Sequence, residues 1–215
     1  MSQLHHDNNN PASRLGVPPP AAPGRRPGVD FGTERTIVLA GPLGASEWAM
    51  IRAFIGKADR DDLRTRFGQW LDFHSEPILK RFFDIDGKNG ELVCTLDDNG
   101  DISGILHRVL ISPREAEIGL IVRSDLKRTG IGETLLRTAL ARARQQNLQT
   151  LRALVLGENP AMLRLARKIG AVPRESAGLS VELEFDLSRI RAGGMAPLTA
   201  AAATTNPPTS SSANA

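Results

Sequence analysis

The stretch Val122-Arg123-Ser124-Asp125-Leu126-Lys127-Arg128-Thr129-Gly130-Ile131-Gly132 has residue types suited to holding a polyanion. Glycine at 130 and 132 lets backbone approach a ligand closely, where a Cβ would stand in the way of phosphate oxygens. From Ile131 the apolar residues fall at helical spacing, so the turn opens a helix. The free N–H groups and positive dipole end of its first turn favour negative charge. Lys127 and Arg128 add formal charge beside them. A tight strand-to-helix turn with solvated basic side chains has the same composition, and spacing alone does not separate the two readings.

Elsewhere the chemistry-bearing residues are isolated. His107 lies in an apolar strand, where a structural or exposed role competes with substrate contact, and His74 precedes a helix at the surface. Cys94, the one cysteine, falls in an apolar run and reads as a buried, inert thiol. His5 and His6 sit in a polar tail, where solvation is the better reading than metal binding, and no Cys/His cluster has zinc spacing. Tyrosine is absent, so no phenol serves here.

The elements that must position these residues follow from periodicity. Arg35 to Leu39 reads as a strand; Ser46 as the N-cap of a helix carrying Trp48, Ile51 and Ile55; Asp62 to Phe67 as helical. Ser75 caps a third helix with Pro77 in its first turn, burying Ile78, Leu79, Phe82 and Phe83. Strands at Glu91 to Leu96 and Ile102 to Ile111 join across Asp97-Asp98-Asn99-Gly100-Asp101, whose Asn-Gly step supplies the positive φ of a hairpin. After a turn at Ser112-Pro113, Ala116 to Val122 is a strand, and a long helix from Ile131 aligns Leu135, Leu136, Ala139, Leu140 and Ala143. Leu151 to Leu156 suits a buried strand. Ala161 to Lys168 is helical with Gly170 as its stop, and Leu179, Val181, Leu183, Phe185 and Leu187 alternate as a half-buried strand. The order is β-α-α-α-β-β-β-α-β-α-β.

Residues 1–33 and everything after about Ile190 are rich in Pro, Ala, Asn and Thr without periodicity and are expected to be disordered tails. They flank one folded domain over 34–189. With 215 residues and 40% hydrophobic composition the chain supports one core. A net charge of +3 is too small to favour nucleic acid, and Arg137, Arg142, Arg144, Arg152, Arg164 and Arg167 read as solvated faces. No apolar run spans a bilayer and no secretory signal is evident, so no membrane role is expected. With a single cysteine, a cytoplasmic address follows.

Two motifs then act together. Lys127, Gly130 and Gly132 occupy the places of a Gln/Arg-x-x-Gly-x-Gly/Ala signature between strand and helix. Asn159-Pro160-Ala161-Met162-Leu163-Arg164-Leu165-Ala166-Arg167-Lys168-Ile169-Gly170-Ala171 resembles an Asn-led helix ending in Gly. On these the chain resembles the GNAT superfamily of N-acetyltransferases. Ala116 to Arg123, the loop after it and Leu163 to Gly170 look like the catalytic domain of bacterial protein lysine acetyltransferases of the Pat type. Lysine at the first signature position departs from the preferred residue but keeps a donor and a charge. The CoA-ligase-like or cyclic-nucleotide-binding regions fused to longer members are expected to be absent from this chain.

The resemblance implies an α/β (α+β) GNAT fold. Its mixed, mostly antiparallel central sheet of about six or seven strands is flanked by helices, with an acyl-CoA cleft between two splayed parallel strands. It implies backbone contacts to acetyl-CoA from Leu120, Ile121 and Val122, and a pyrophosphate cradle from Lys127, Arg128, Thr129, Gly130, Ile131, Gly132 and Glu133. Asn159 would meet the pantetheine arm; a helix N-cap before Pro160 suits it equally. No metal is implied. An attacking amine must be neutral, yet a lysine near pKa 10.4 is protonated at pH 7, so a base helps. Glu117 stands where the resembled branches place a glutamate base, with Gly119 on the same strand face leaving room for substrate or thioester. The place of the family's acid tyrosine is Ala166, which leaves water or another group to protonate the thiolate, or no acid at all.

The expected function is transfer of an acetyl group from acetyl-CoA to a primary amine, a protein lysine first and a small amine second, by a monomer or homodimer. A non-catalytic acyl-CoA sensor is the competing class. Asp59, Asp61, Asp62, Asp84 and Asp86 either draw a basic acceptor or line solvated helices.

Overall fold

The computed structural model describes residues 35–86 and 88–189. The tails expected over 1–33 and from 190 onward, with His5 and His6, lie outside the described residues. The elements are β1 (Arg35–Leu39), α1 (Ala45–Gly56), α2 (Arg60–Phe67), α3 (Glu76–Phe83), β2 (Gly90–Leu96), β3 (Ile102–Ser112), β4 (Glu115–Val122), a 3₁₀ turn (Ser124–Leu126), α4 (Ile131–Gln145), β5 (Thr150–Leu156), α5 (Pro160–Ile169), β6 (Val172–Ala177) and β7 (Ser180–Asp186).

Seven strands form one sheet in the order β1-β2-β3-β4-β5-β7-β6. All neighbours are antiparallel except β4 and β5, whose parallel pairing requires a crossover, supplied by α4. The expected order holds with one addition. β6, read from Val172-Pro173-Arg174-Glu175-Ser176-Ala177, has no apolar alternation and contains a proline; such a strand survives only at an edge, and β6 pairs with β7 alone. Leu179, expected to open the last strand's buried stripe, instead sits in the β6–β7 turn and is 87% exposed.

Side-chain alternation sends the sheet's two faces into two cores. Leu106, Ala116, Ile118, Leu151, Ala153, Leu183 and Phe185 meet Leu135, Leu136, Ala139 and Leu140 of α4 and Ala166 of α5. On the other face Leu92, Cys94, Ile105 and Ile121 meet Ile51, Phe54, Leu79 and Phe83 from α1 and α3. α2 lies on the same face over β4 and β5, and the three helices leave part of that face open. Farther across, the same face leaves Ile111 and Leu154 more than half exposed.

Local capping departs from expectation at one end. Gly44, not Ser46, is the N-cap of α1, and the Ser46 hydroxyl donates to Glu47 Oε2 at 2.9 Å. Gly100 (φ +81°) closes the β2–β3 hairpin and Gly170 (φ +105°) ends α5, both in the left-handed region that glycine enters without strain.

Buried charge is concentrated where β2, β3 and α4 meet. Glu91, 1% exposed, accepts from Arg108 Nε at 3.2 Å and from Arg142 Nη2 at 2.8 Å, and Arg108 Nη2 donates to Gln146 Oε1 at 2.5 Å. Burial would raise the Glu91 pKa, but hydrogen bonds from Arg142 and Arg108 outweigh it and hold the carboxyl below its ordinary value. Cys94 is fully buried, which pushes its thiol up to about 12, in keeping with an inert role. His107 is pulled down to about 4 by burial and then by the Arg66 charge.

Two outcomes follow. Glu91→Gln leaves two guanidinium groups without their counter-charge and lowers stability by about 3–5 kcal/mol, read as a drop in denaturation midpoint. Below about pH 6.5 the unfolded chain protonates His107 while the folded chain refuses the proton down to about 4. Stability from this group is therefore complete above pH 6.5 and lost as pH falls toward 4, and His107→Asn flattens the dependence of Tm on pH between 6.5 and 5.

Candidate active site

β4 and β5 pair over three residues only, Glu115–Glu117 against Thr150–Arg152. Beyond Glu117 the strands part, so the peptide groups of β4 from Ile118 to Val122 have no strand partner on that side. A cleft of about 730 Å³ opens there. Leu120, Ile121 and Val122 form one wall, and Ala161, Met162 and Leu165 of α5 form the other. The loop from Leu126 to Glu133 closes one end, and Asp62, Thr65 and Arg66 of α2 border it from the second helical layer.

The loop has the form of an anion cradle. Arg128 (φ +64°) and Gly130 (φ +101°) are left-handed, which turns successive N–H groups to one side. The first helical bond of α4 is Thr134 N to Gly130 O at 3.0 Å, so the N–H groups of Ile131, Gly132 and Glu133 have no acceptor within the helix. The two glycines do different things. A Cβ at Gly130 would meet open space, and it is the backbone angle that calls for glycine. A Cβ at Gly132 would come within 3.3 Å of Leu165 and 3.5 Å of Leu120, so this glycine lets α4 begin close against both walls.

Of the residues expected to hold acyl-CoA, Leu120, Ile121, Val122, Lys127, Arg128, Gly130, Ile131, Gly132, Glu133 and Asn159 line the cleft. Thr129 does not; its hydroxyl donates to Leu126 O at 2.6 Å and braces the turn. The Glu133 side chain is drawn to Lys168 at 2.5 Å and Arg137 at 2.9 Å, whose hydrogen bonds, Lys168 first, hold its pKa low. Asn159 is the N-cap of α5, accepting from Met162 N at 3.1 Å, and it lines the cleft as well. The N-cap reading of this residue is thus observed, at a position where it also faces the cleft.

Glu117 is exposed and lies outside the cleft lining, at the last paired position before the strands part. Glu115, Glu117, Gly119 and Ile121 alternate on the face that α1 to α3 partly cover. The space expected above Gly119 is filled: a Cβ there would collide with the guanidinium of Arg66. That arginine, which sequence reasoning missed, is half-buried and lies 4.7 Å from the Phe67 ring centroid. Burial brings its pKa down to about 10, with the Glu117 charge opposing, so it is protonated at neutral pH. Ala166 is fully buried in the core beneath α5 and presents no polar group to the cleft.

α2 contributes more than the sequence disclosed. Asp62 binds Lys127 and accepts from Ser124 Oγ at 2.6 Å, while Ser124 Oγ accepts from Asp59 N at 2.8 Å. Arg64 binds Glu158, just before Asn159. The helix thus reaches both the phosphate-type loop and the β5–α5 connection. Asp62 and Asp86, considered as lures for a basic acceptor, are otherwise engaged, the latter accepting from the backbone of Lys88 and Asn89.

Comparison with known proteins agrees with this geometry. Residues 58–171, just over half of the chain, match the model of the acetyltransferase (GNAT) family. Among solved structures the chain is similar to the GNAT domain of S. lividans PAT (21% identity, 72% of this chain and 91% of that one, TM-score 0.64). It is also similar to a Vibrio cholerae spermidine N-acetyltransferase bound to CoA and spermine (16%, 71% and 96%, TM-score 0.57). A third is a Sinorhizobium meliloti phosphinothricin acetyltransferase bound to AcCoA (16%, 72% and 89%, TM-score 0.54). The parted parallel strands, the glycine cradle and the family match converge: this chain belongs to the acetyltransferase (GNAT) family and is an acetyl-CoA-dependent N-acetyltransferase.

Proposed function

We propose that this protein acetylates the ε-amine of a protein lysine, with Glu117 as general base. The observation that carries the reading is the position of Glu117: exposed, at the point where β4 leaves β5, on the open face of the sheet. In register across that face run Val109, Glu117, Arg152 and Glu184, with Leu154 beside Glu182. An open, partly apolar surface on which the Glu117 carboxylate is exposed suits a lysine presented by another protein better than a closed pocket would. A small amine is the second reading, supported by Arg66, whose guanidinium narrows the approach over Gly119.

In this scheme acetyl-CoA lies between the walls, its pantetheine arm along Leu120–Val122 and beside Asn159, its pyrophosphate on Lys127, Arg128 and the N–H groups of Ile131, Gly132 and Glu133. Lys127 exchanges its Asp62 partner for the phosphate. The amine nitrogen attacks the thioester carbonyl while Glu117, directly or through one water, takes its proton. The tetrahedral intermediate then collapses and the C–S bond breaks. CoA leaves as a thiolate, an adequate leaving group for a thiol of pKa near 8.5, and solvent protonates it. Ala166 supplies no acid, and none is needed.

Thiol release from acetyl-CoA against lysine-containing proteins and simple amines tests the assignment. Acceptor-dependent release with a protein is expected; release with small amines alone selects the second reading, and CoA binding without turnover on any acceptor rejects catalysis. Glu117→Gln should keep CoA affinity and lose turnover on the order of 10²-fold at pH 7, with the deficit shrinking at high pH as the amine deprotonates unaided. Gly130→Glu forces a left-handed backbone and places negative charge on the cradle, so calorimetric acetyl-CoA affinity should fall at least tenfold.

A further inference from the structure

We infer that Arg66 is a specificity-determining residue that binds a carboxylate carried by the acceptor close to its reacting amine. The inference rests on the reading above that places the acceptor on the Glu117 side of β4.

Of the charged residues on α2, Asp62, which borders the cleft, is held by Lys127 and Ser124, and Arg64 by Glu158. Arg66 differs. Among the described residues its guanidinium makes no ion pair or hydrogen bond, although it is half-buried, and it borders the cleft. It is nonetheless held in place. It lies over Gly119, where any side chain would expel it, and against Phe67, whose ring sits 4.6 Å from Phe73 and 4.7 Å from Phe82. A fixed, charged guanidinium partly removed from water is costly until an anion meets it, and its planar fork matches a carboxylate through two parallel hydrogen bonds.

Two anions can reach this cleft, and distance separates them. Phosphates are drawn to the loop beyond Val122. Gly119 lies four residues before Arg123, a span of roughly 13 Å along an extended strand. Glu117, two residues away on the same face, is only roughly 7 Å off. An anion meeting Arg66 therefore belongs to the molecule whose amine faces Glu117. His107, the register partner of Gly119, is neutral at physiological pH and offers no competing charge. Glu117 is the carboxylate whose charge Arg66 feels, yet among the described residues the two form no direct ion pair. The carboxylate comes either from the acceptor's own amino-acid backbone or from an Asp or Glu next to an acceptor lysine, and the same fork serves both.

The test uses the full chain with CoA bound and two matched ligand pairs: free lysine against lysinamide, and a lysine peptide with a neighbouring Asp against the same peptide with Asn. Calorimetric binding and, where acetylation occurs, KM and kcat are measured for each. The wild-type protein should favour the carboxylate member of at least one pair by on the order of tenfold in Kd or KM, and the pair that responds names the source. Arg66→Gln should abolish the preference and Arg66→Lys retain part of it. Gly119→Ala, which displaces the guanidinium while keeping the arginine, should abolish it too. Equal wild-type binding within both pairs overturns the inference. So does a preference that survives in Arg66→Gln while kcat falls for all acceptors, since Arg66 would then act through Glu117. Because the ligand preference is read from binding, failure of every acceptor to be acetylated counts against the proposed function and leaves this test intact.

Discussion

Past Glu117 the backbone of β4 has lost its neighbour, because β5 pairs with it only through Thr150–Arg152. A buried amide without a partner costs about 1–3 kcal/mol, so an opening of this kind persists in a fold only where solvent or a ligand completes it. Parallel pairing also dictates what surrounds the gap. Each of the two strands is followed by a helix, so α4 and α5 both begin at the cleft, at Gly130 and Asn159. Two helix N-termini and the basic side chains of Lys127 and Arg128 face one space, and an anionic ligand is the natural complement. The acetyltransferase assignment is the chemical reading of that single departure from regular sheet pairing.

The gap needs support, since two strands diverging inside a sheet would otherwise let their helices drift. α2 provides it from the opposite layer, with Asp62 on Lys127 and Ser124 at one side and Arg64 on Glu158 at the other. These are partly exposed pairs and each is worth little alone. Their use lies in where they are: they connect the loop before α4 to the loop before α5, and a phosphate at Lys127 competes with Asp62 for the same cation. Firm stability comes from elsewhere, from the two apolar cores and from the buried Glu91, Arg108, Arg142 and Gln146 network that ties β2 and β3 to α4.

Much of this was legible beforehand because it is written in local pattern. The loop after β4, the helical stripe of α4 and the Gly170 stop are encoded in neighbouring residues, and the structure places them as expected. β6 was illegible because an edge strand with one neighbour and a proline needs no apolar alternation. Ser46 and Leu179 misled for a related reason: a good capping residue and an apolar residue in phase each promise a role that the chain next to them takes instead, at Gly44 and in an exposed turn.

The sequence by itself determined the alternation of strands and helices, the glycine-containing basic loop and its helix, and through paired motifs the family. Each of these depends on residues within one turn or one strand of each other, where spacing is geometry. Only the tertiary structure decided that β4 and β5 part after Glu117, that Asp62 reaches Lys127, and that Arg66 lies over Gly119. Fifty-three positions separate that arginine from that glycine. No propensity or periodicity links them; they meet because α2 packs across the sheet and because a missing Cβ leaves space for a guanidinium.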